Sequence, residues 1–388
     1  MSLALPKIGF VFWPVGTGDS TTVVIKEKEV VMQIDLHHME KSDDKEDPHV
    51  PIVDELVRLL PRKDNRPYLS VFVLTHPDKD HIQGFEMLLK EINIGEIWHT
   101  PRIFNEYSAD LSDDAKAFKK EVDRRRKITI KNKGKVGAGD RVRIIGHDEI
   151  FEEEDYKDFP QEWRTYPGNS IKRVDGEDCS NAFETFVHAP FKESSEAERN
   201  ETSLALQVAL FKDKHSAKAF LFGDHCYPTI RKIYDKTKEK KRERYLEWDI
   251  LLAPHHCSKR VMYWQDEGKE KEEFKKDIMD EFENSERSAA YIVASCEADF
   301  SDEEGKNPPH LKARKRYEEI IESGHFLSTQ EHPDKKKPVA IKFELTEDGL
   351  NYDRPKGDDS SKAKDISSAV AAARGGETPP KQQVGFGN

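Results

Sequence analysis

The sequence predicts an α/β chain with two β-sheets whose outer faces are covered by helices. Short runs rich in Val, Ile, Leu, Phe and Thr recur along the 388 residues, split by turn chemistry. Segments with apolar residues at helical intervals are interspersed among them. At least one strand, Val71–Leu74, is continuously apolar, the pattern of a strand buried on both faces.

In chain order, the first 36 residues read as strands Ile8–Trp13, Thr21–Lys26 and Val30–Leu36, with Gly16, Gly18 and Asp19 in the first turn. Residues 39–48 form a polar loop, and Ile52–Leu60 spaces Ile52, Leu56, Leu59 and Leu60 helically. The strand Val71–Leu74 delivers a polar cluster at its C-terminal end. A helix over Gly84–Glu91 and a strand over Ile94–His99 follow. Residues 107–127 read as a basic helix, and Lys127–Lys131 and Asp140–Ile145 as strands around a Gly-rich turn. Residues 147–181, acidic and aromatic with Pro160, Pro167, Gly168 and Gly176, read as an irregular insertion. Strands resume at Phe183–His188, Ser203–Phe211 and Ala219–Phe222, followed by a charged helix over Thr229–Arg244 and a strand over Asp249–Ala253. A very charged helical segment at 266–285, a strand at Ala290–Ser295, a helix at His310–Ser323 and a strand at Ala340–Leu345 complete the series. After about Tyr352 no apolar periodicity survives, which predicts a disordered tail over 353–388.

Composition narrows the functional classes. The chain is 36% charged and 36% hydrophobic, with a formal charge of -12 and a mean hydropathy of -0.82. Its longest largely apolar runs, such as Ala289–Cys296, fall far short of the roughly 20 residues that a membrane-spanning helix needs. That excludes a channel or transporter and predicts no membrane insertion. The N-terminus lacks the basic and apolar regions of a secretory signal. Cys179, Cys226, Cys257 and Cys296 are scattered without a C-x-x-C, which argues against a disulfide scaffold or zinc ribbon and fits a reducing cytoplasm.

The strongest chemical signal is THPDKDH, where His76, Asp78, Asp80 and His81 lie within six positions directly after a buried strand. A divalent metal needs several preorganised N and O donors, and a turn at a strand end can aim such residues inward. A solvated polar turn is the plain alternative. Other apolar strands also end in ligand types: MQID in Asp35, AFLFGD in Asp224, followed by His225, and ILLAPHH in His255 and His256. Charge at a buried strand end is costly unless paired or metal-bound, so the recurrence points to one shared polar site.

These segments, with VGTGDSTTVVI (15–25), NETSLALQV (200–208) and NPPH (307–310), make the sequence resemble the metallo-β-lactamase superfamily, and within it the soluble hydrolase domain of the DNA-uptake protein ComEC. The likeness covers roughly residues 7–352 and lacks the membrane channel, as a stand-alone version would. It implies an αββα sandwich of two mixed sheets flanked by helices: one hydrolase domain over 1–352 with a polar insertion near 147–181. It implies a dinuclear site for Zn²⁺ or Mn²⁺. His76 and Asp78 match ligands of one ion, Asp80 and His81 ligands of the other, Asp224 the bridging carboxylate, and His255 the late ligand with His256 as its substitute. Asp35 matches a residue that supports the site by hydrogen bonds. Asn200 and Ser203 match a segment replacing the usual third histidine and are assigned to the rim or a substrate phosphate. His188 is a weaker ligand candidate. Asp80 and Asp224 would orient a metal-activated hydroxide, and His256, His310 or Lys259 would assist the leaving group.

The sequence departs from the family in loop residues. Asp35 is followed by Leu36-His37, the expected HHGS reads HHCS with Cys257 in the glycine position, and Gly-Gly reads Gln83-Gly84. Cys257 reads as a small residue tolerated at a turn or as an extra soft ligand.

Basic clusters bear on the substrate. Residues 116–143 hold twelve Lys/Arg against Glu121, Asp123 and Asp140, and residues 231–244 hold eight against three. Such clusters neutralise phosphates, or simply solvate a helix face. Ser258, Lys259 and Arg260, next to the presumed ligands, are assigned to substrate contact. The leading expectation is a phosphodiesterase or nuclease acting on DNA or RNA. The alternatives are a hydrolase of a nucleotide, cyclic nucleotide, lactone or thioester, and a non-catalytic module docking a protein partner through charged helices and tail.

Overall fold

Successive side chains of a strand point to opposite faces, and here that alternation sorts the apolar residues into separate core layers. In the computed structural model, which describes residues 4–104, 111–192 and 199–355, Val71 and Val73 of strand Arg66–Val73 face one layer while Phe72 and the following Leu74 face another. Leu251 of strand Trp248–Leu252 likewise opposes Ile250 and Leu252. The shared layer, with Phe10, Met32, Val208, Leu210 and Phe343, lies between two sheets. Outside it, helices Ile52–Leu59, Phe85–Glu91 and Asp113–Lys131 pack on the first sheet, and helices Tyr227–Glu239, Lys276–Ser285 and Leu311–Glu319 on the second. The result is the αββα sandwich that the resemblance implies.

Both sheets are mixed. The first runs, in spatial order, Gly349–Tyr352, Ile341–Thr346, Gly9–Phe12, Thr21–Lys26, Val30–Ile34, Arg66–Val73, Asn93–His99, Arg141–Ile145, Arg164–Thr165. Its pairs are antiparallel as far as Val30–Ile34 and parallel beyond. The second runs Phe326–Ser328, Glu286–Ala294, Trp248–Leu252, His215–Leu221, Ala205–Lys212, Phe183–Ala189, Ser170–Ile171, parallel up to His215–Leu221 and antiparallel after it. Residues Met1–Asp353 group into one unit. No helix among the described residues is long and apolar enough to cross a membrane.

Several elements differ from expectation. Lys127–Lys131 is not a strand but the end of the helix Asp113–Lys131. Its Ile and Thr residues favour strands only weakly. Against that, Ala115, Phe118, Val122, Arg125 and Thr129 bury at helical spacing, and Phe118 packs against Phe72 and Phe85. The helix expected over Thr229–Arg244 ends at Glu239, followed by a short 3-10 turn, and only Lys276–Ser285 of 266–285 is helical. The acidic stretch 147–181 supplies edge strands to both sheets, Arg164–Thr165 and Ser170–Ile171, and buries Phe151, Phe159 and Ile171. The expected tail lies, from residue 356 onward, outside the described residues.

Candidate metal centre

In open α/β sheets, ligands gather outside the carboxyl ends of parallel strands, and the polar residues here do so. Asp35 follows Val30–Ile34, His76 follows Arg66–Val73, Asp224 follows His215–Leu221, and His255 and His256 follow Trp248–Leu252. Backbone bonds tie these ends together: Leu36 N–H to the His81 carbonyl, Asp19 N–H to that of Asp80, and His255 N–H to that of Gly223. Gly18 lets the first loop approach this closely. A Cβ there would lie 2.2 Å from His37 Nδ1 and 2.7 Å from the Asp80 carbonyl oxygen.

Asp80, His81, Asp224 and His256 each aim one ligand atom into a space where all four lie within 4.8 Å of one another. His81 Nε2 stands 3.1 Å from His256 Nε2 and 3.2 Å from Asp224 Oδ1. His256 Nε2 stands 3.3 Å from Asp80 Oδ2 and 3.4 Å from Asp224 Oδ1. The far side of each ring is committed. His81 Nδ1 donates to Asp35 Oδ2 at 2.8 Å and His256 Nδ1 to the Ser295 carbonyl at 3.2 Å. Both Nε2 lone pairs therefore face each other and two carboxylates, an arrangement that calls for a cation between them.

The other oxygen of Asp224 faces a second set. Its Oδ2 lies 3.7 Å from His76 Nε2 and 3.7 Å from His255 Nε2. His76 Nε2 and Asp224 Oδ1 are buried and make no hydrogen bond among the described residues, a cost that a bound ion removes. His255 and His256, adjacent in sequence, thus serve opposite sides of one carboxylate. Asp78 lines the pocket that opens beside this set.

Electrostatics agree with a cation site. Burial opposes charge on His81, but Asp224 and Asp35 outweigh it and lift its pKa well above the ordinary 6.5. His256 is raised likewise, by Asp224 and Asp19 against burial. Burial also opposes ionisation of Asp224, yet His256, His81 and His255 hold its pKa well below the usual carboxylate value.

The backbone is strained where it positions these groups. Asp35, His255, His256 and Cys257 are all left-handed, with φ of 56°, 50°, 52° and 64°, at a cost on the order of 1–3 kcal/mol each. Asp35 is held by its own acceptors: Oδ1 takes the Thr75 N–H at 2.8 Å, and Oδ2 takes the Thr75 hydroxyl at 2.6 Å besides His81. Cys257 turns away from the ligands into the outer core of the second sheet, where burial pushes its thiol pKa well up.

The remaining expected residues divide. Asn200 and Arg260 line the pocket of about 300 Å³ beside Asp78, where the Arg260 guanidinium lies 5.5 Å from the Trp264 ring centre. Ser203 is buried below Asn200, and Ser258 caps the turn carrying Arg260. Lys259 pairs with Glu272 at 2.9 Å. His310 accepts the Lys259 N–H at Nδ1 and meets the Lys306 carbonyl with Nε2, so it braces this turn. His188 is held between Thr237 and the Tyr245 carbonyl, its pKa pushed by burial down to about 3. Arg124 pairs with Glu121 and Asp140, Arg126 with Asp123 and Asp155, and buried Arg125 donates to the carbonyls of Ile94, Gly95 and Arg141.

Two neighbours of the centre, Asp19 and His225, are visible in the sequence but carry no site role there. Asp19 forms a second candidate group with Asp35 and His81. It stands in a segment already marked by the resemblance. His225 lines the pocket with both ring nitrogens buried and without a hydrogen bond among the described residues, and burial holds its pKa at about 4. Its position directly after Asp224 was the available signal.

No protein-family model matches the chain, and no curated protein does. Among solved structures it is similar to the metallo-β-lactamase fold protein YhfI from Bacillus subtilis, at 11% identity and a TM-score of 0.40, over 87% of this chain and 100% of that one. It is also similar to BJP-1, a subclass B3 metallo-β-lactamase of Bradyrhizobium japonicum, at 13% identity and a TM-score of 0.31, over 65% of this chain and 75% of that one. A third is the class B3 di-zinc metallo-β-lactamase LRA-12 from an Alaskan soil metagenome, at 11% identity and a TM-score of 0.31, over 72% and 90%.

Proposed function

We propose that the chain is a metal-dependent hydrolase of phosphodiester bonds, a nuclease acting on DNA or RNA. The observation that carries this reading is Asp224, which offers one oxygen to each of two histidine-lined donor sets beside a pocket bearing an arginine. Asp80, His81, His256 and Asp224 Oδ1 would hold one divalent ion. His76, His255, Asp78 and Asp224 Oδ2 would hold the other. Each set combines two imidazoles with two carboxylates, a donor mix that suits Mn²⁺ as well as Zn²⁺. Such ions supply Lewis acidity toward a phosphoryl oxygen and an activated water.

The protein's own groups do the rest. Asp80, whose side chain is 35% exposed, is the cluster carboxylate that reaches solvent and would orient the incoming water through a hydrogen bond. Arg260 pairs with the phosphate through charge-assisted hydrogen bonds, and the Asn200 amide faces the same pocket.

The test is metal analysis of the purified protein together with a panel of labelled single-stranded DNA, RNA and cyclic nucleotides under Mn²⁺ and Zn²⁺. Metal-dependent cleavage of the nucleic acids, lost in Asp80→Ala and Asp224→Ala and weakened by salt, is expected. Intact DNA and RNA under both metals refute the reading. Cleavage of a small ester alone, indifferent to salt, favours a small-molecule hydrolase.

A further inference from the structure

The helix Tyr227–Glu239 joins two sites. Its first turn, with Pro228 and Thr229, lines the pocket beside Asp78. Its last turn lines one groove, which adjoins a second formed by the residues just after the helix. At 1.5 Å per residue, its 13 residues span about 20 Å. Pro228, Lys232, Lys236 and Lys240 follow one another at four-residue intervals and so form one ridge along it. Each step advances about 6 Å, an interval comparable to the phosphate repeat of an extended single strand.

The ridge ends in a basic cluster. Lys241, Arg242 and Arg244 line a groove of about 630 Å³ over Phe186 and Tyr245, whose rings stack at 3.9 Å, with Glu243 as the lone carboxylate lining it among the described residues. The adjoining groove contains Lys236 and Lys240, and Phe191 on its wall carries the Lys232 ammonium 4.6 Å from its ring centre. The opposite face of the helix differs. Arg231 and Lys238 are both committed to Glu281. On the ridge, Lys236 and Lys240 each pair with the exposed Glu239, and Lys241 makes no ion pair among the described residues. Exposed pairs of that kind are worth under about 1 kcal/mol and yield readily to a phosphate.

We infer that this ridge and groove bind the backbone of a single-stranded nucleic acid and lead it toward the metal centre. The inference rests on the nucleic-acid reading above and adds a second binding site, about three helical turns from the chemistry. Basic grooves with an aromatic floor are the physical means of holding single strands without regard to sequence.

The experiment compares the triple variant Lys236→Ala/Lys240→Ala/Lys241→Ala with the parent, both carrying Asp80→Ala so that the probe survives. Fluorescence anisotropy follows binding of labelled oligothymidylates of twelve and three nucleotides across a salt series. The triple variant leaves Arg242, which donates to the Gly168 carbonyl, in place to protect the fold. The expected result is roughly tenfold or greater loss of affinity for the twelve-mer, with a salt slope smaller by about 2, and little change for the three-mer. Hydrolysis of bis(4-nitrophenyl) phosphate, which needs only the metal centre, is measured separately with Asp80 intact and is expected to be equal with and without the triple substitution. A twelve-mer bound equally well with the same salt slope by both proteins overturns the track, as does a parent that does not bind it. If the parent binds the twelve-mer through the track yet hydrolyses no phosphodiester, the track stands and the catalytic reading falls.

Discussion

Replacing Asp35 by asparagine separates the charge that supports the metal centre from the shape of its loop. Asparagine keeps the side-chain outline and tolerates the left-handed backbone at φ 56°. The carboxylate accepts three hydrogen bonds, from the Thr75 N–H, the Thr75 hydroxyl and His81 Nδ1–H. An amide has one oxygen to offer. With its nitrogen in the Oδ2 position, it confronts the His81 Nδ1–H with another donor. Flipping the amide only moves the conflict to the Thr75 backbone N–H. His81 can relieve it by shifting its proton to Nε2, which then points an N–H at His256 Nε2, 3.1 Å away, inside the ligand cluster. A hydrogen bond to a charged group contributes about 1.5–3 kcal/mol, and each 1.4 kcal/mol is about tenfold in affinity. The expected loss of metal affinity is therefore roughly ten- to a hundredfold, the range in which removal of a metal ligand's supporting partner ordinarily falls. The assay is competition of the purified variant and parent with a chromophoric chelator for Zn²⁺ and Mn²⁺, with far-ultraviolet circular dichroism confirming the fold. Unchanged affinity in a folded variant would show that Asp35 does not orient His81 for metal.

Two further outcomes follow from the same geometry. In the metal-free protein the pKa values of His81 and His256 are raised above 6.5, so their charged forms contribute stability below about pH 6.5 that fades as pH rises through the folded values. Metal must displace those protons, so binding should release protons near pH 7 and tighten as pH rises; calorimetry in two buffers of different ionisation enthalpy reads the proton count, and zero release contradicts the assigned ligands. Gly18→Ala should cost about 1–3 kcal/mol by overpacking, because its Cβ would press on His37 and the Asp80 carbonyl; chemical denaturation and metal titration should fall together, and a neutral result would mean that the loop yields without disturbing Asp80.

Much of this protein was legible in its local sequence. Most strands and helices were legible because burial imprints a period of two or of 3.6 on neighbouring residues. The ligand types were legible because charge directly after an apolar strand, as at Asp35, His76 and Asp224, has few inexpensive explanations. Where local preference and packing disagreed, as at Lys127–Lys131, packing of the helix through Phe118 and Thr129 prevailed. The stretch 147–181 lacks a period because it crosses from one sheet to the other in two-residue edge strands.

What only the tertiary structure decided is which of these groups meet. His81 and His256 are 175 positions apart, and nothing local foretells that their Nε2 atoms face one another across Asp224. The choice between His255 and His256 dissolved for the same reason. Three successive left-handed residues splay the two rings to opposite oxygens of one carboxylate. Counting charges along the chain could not separate Arg125, buried on backbone carbonyls, from Lys241, open to solvent beside a groove. Sequence specifies which side chains are available and where strands end; long-range sheet pairing sets the distances, and electrostatics acts through distances.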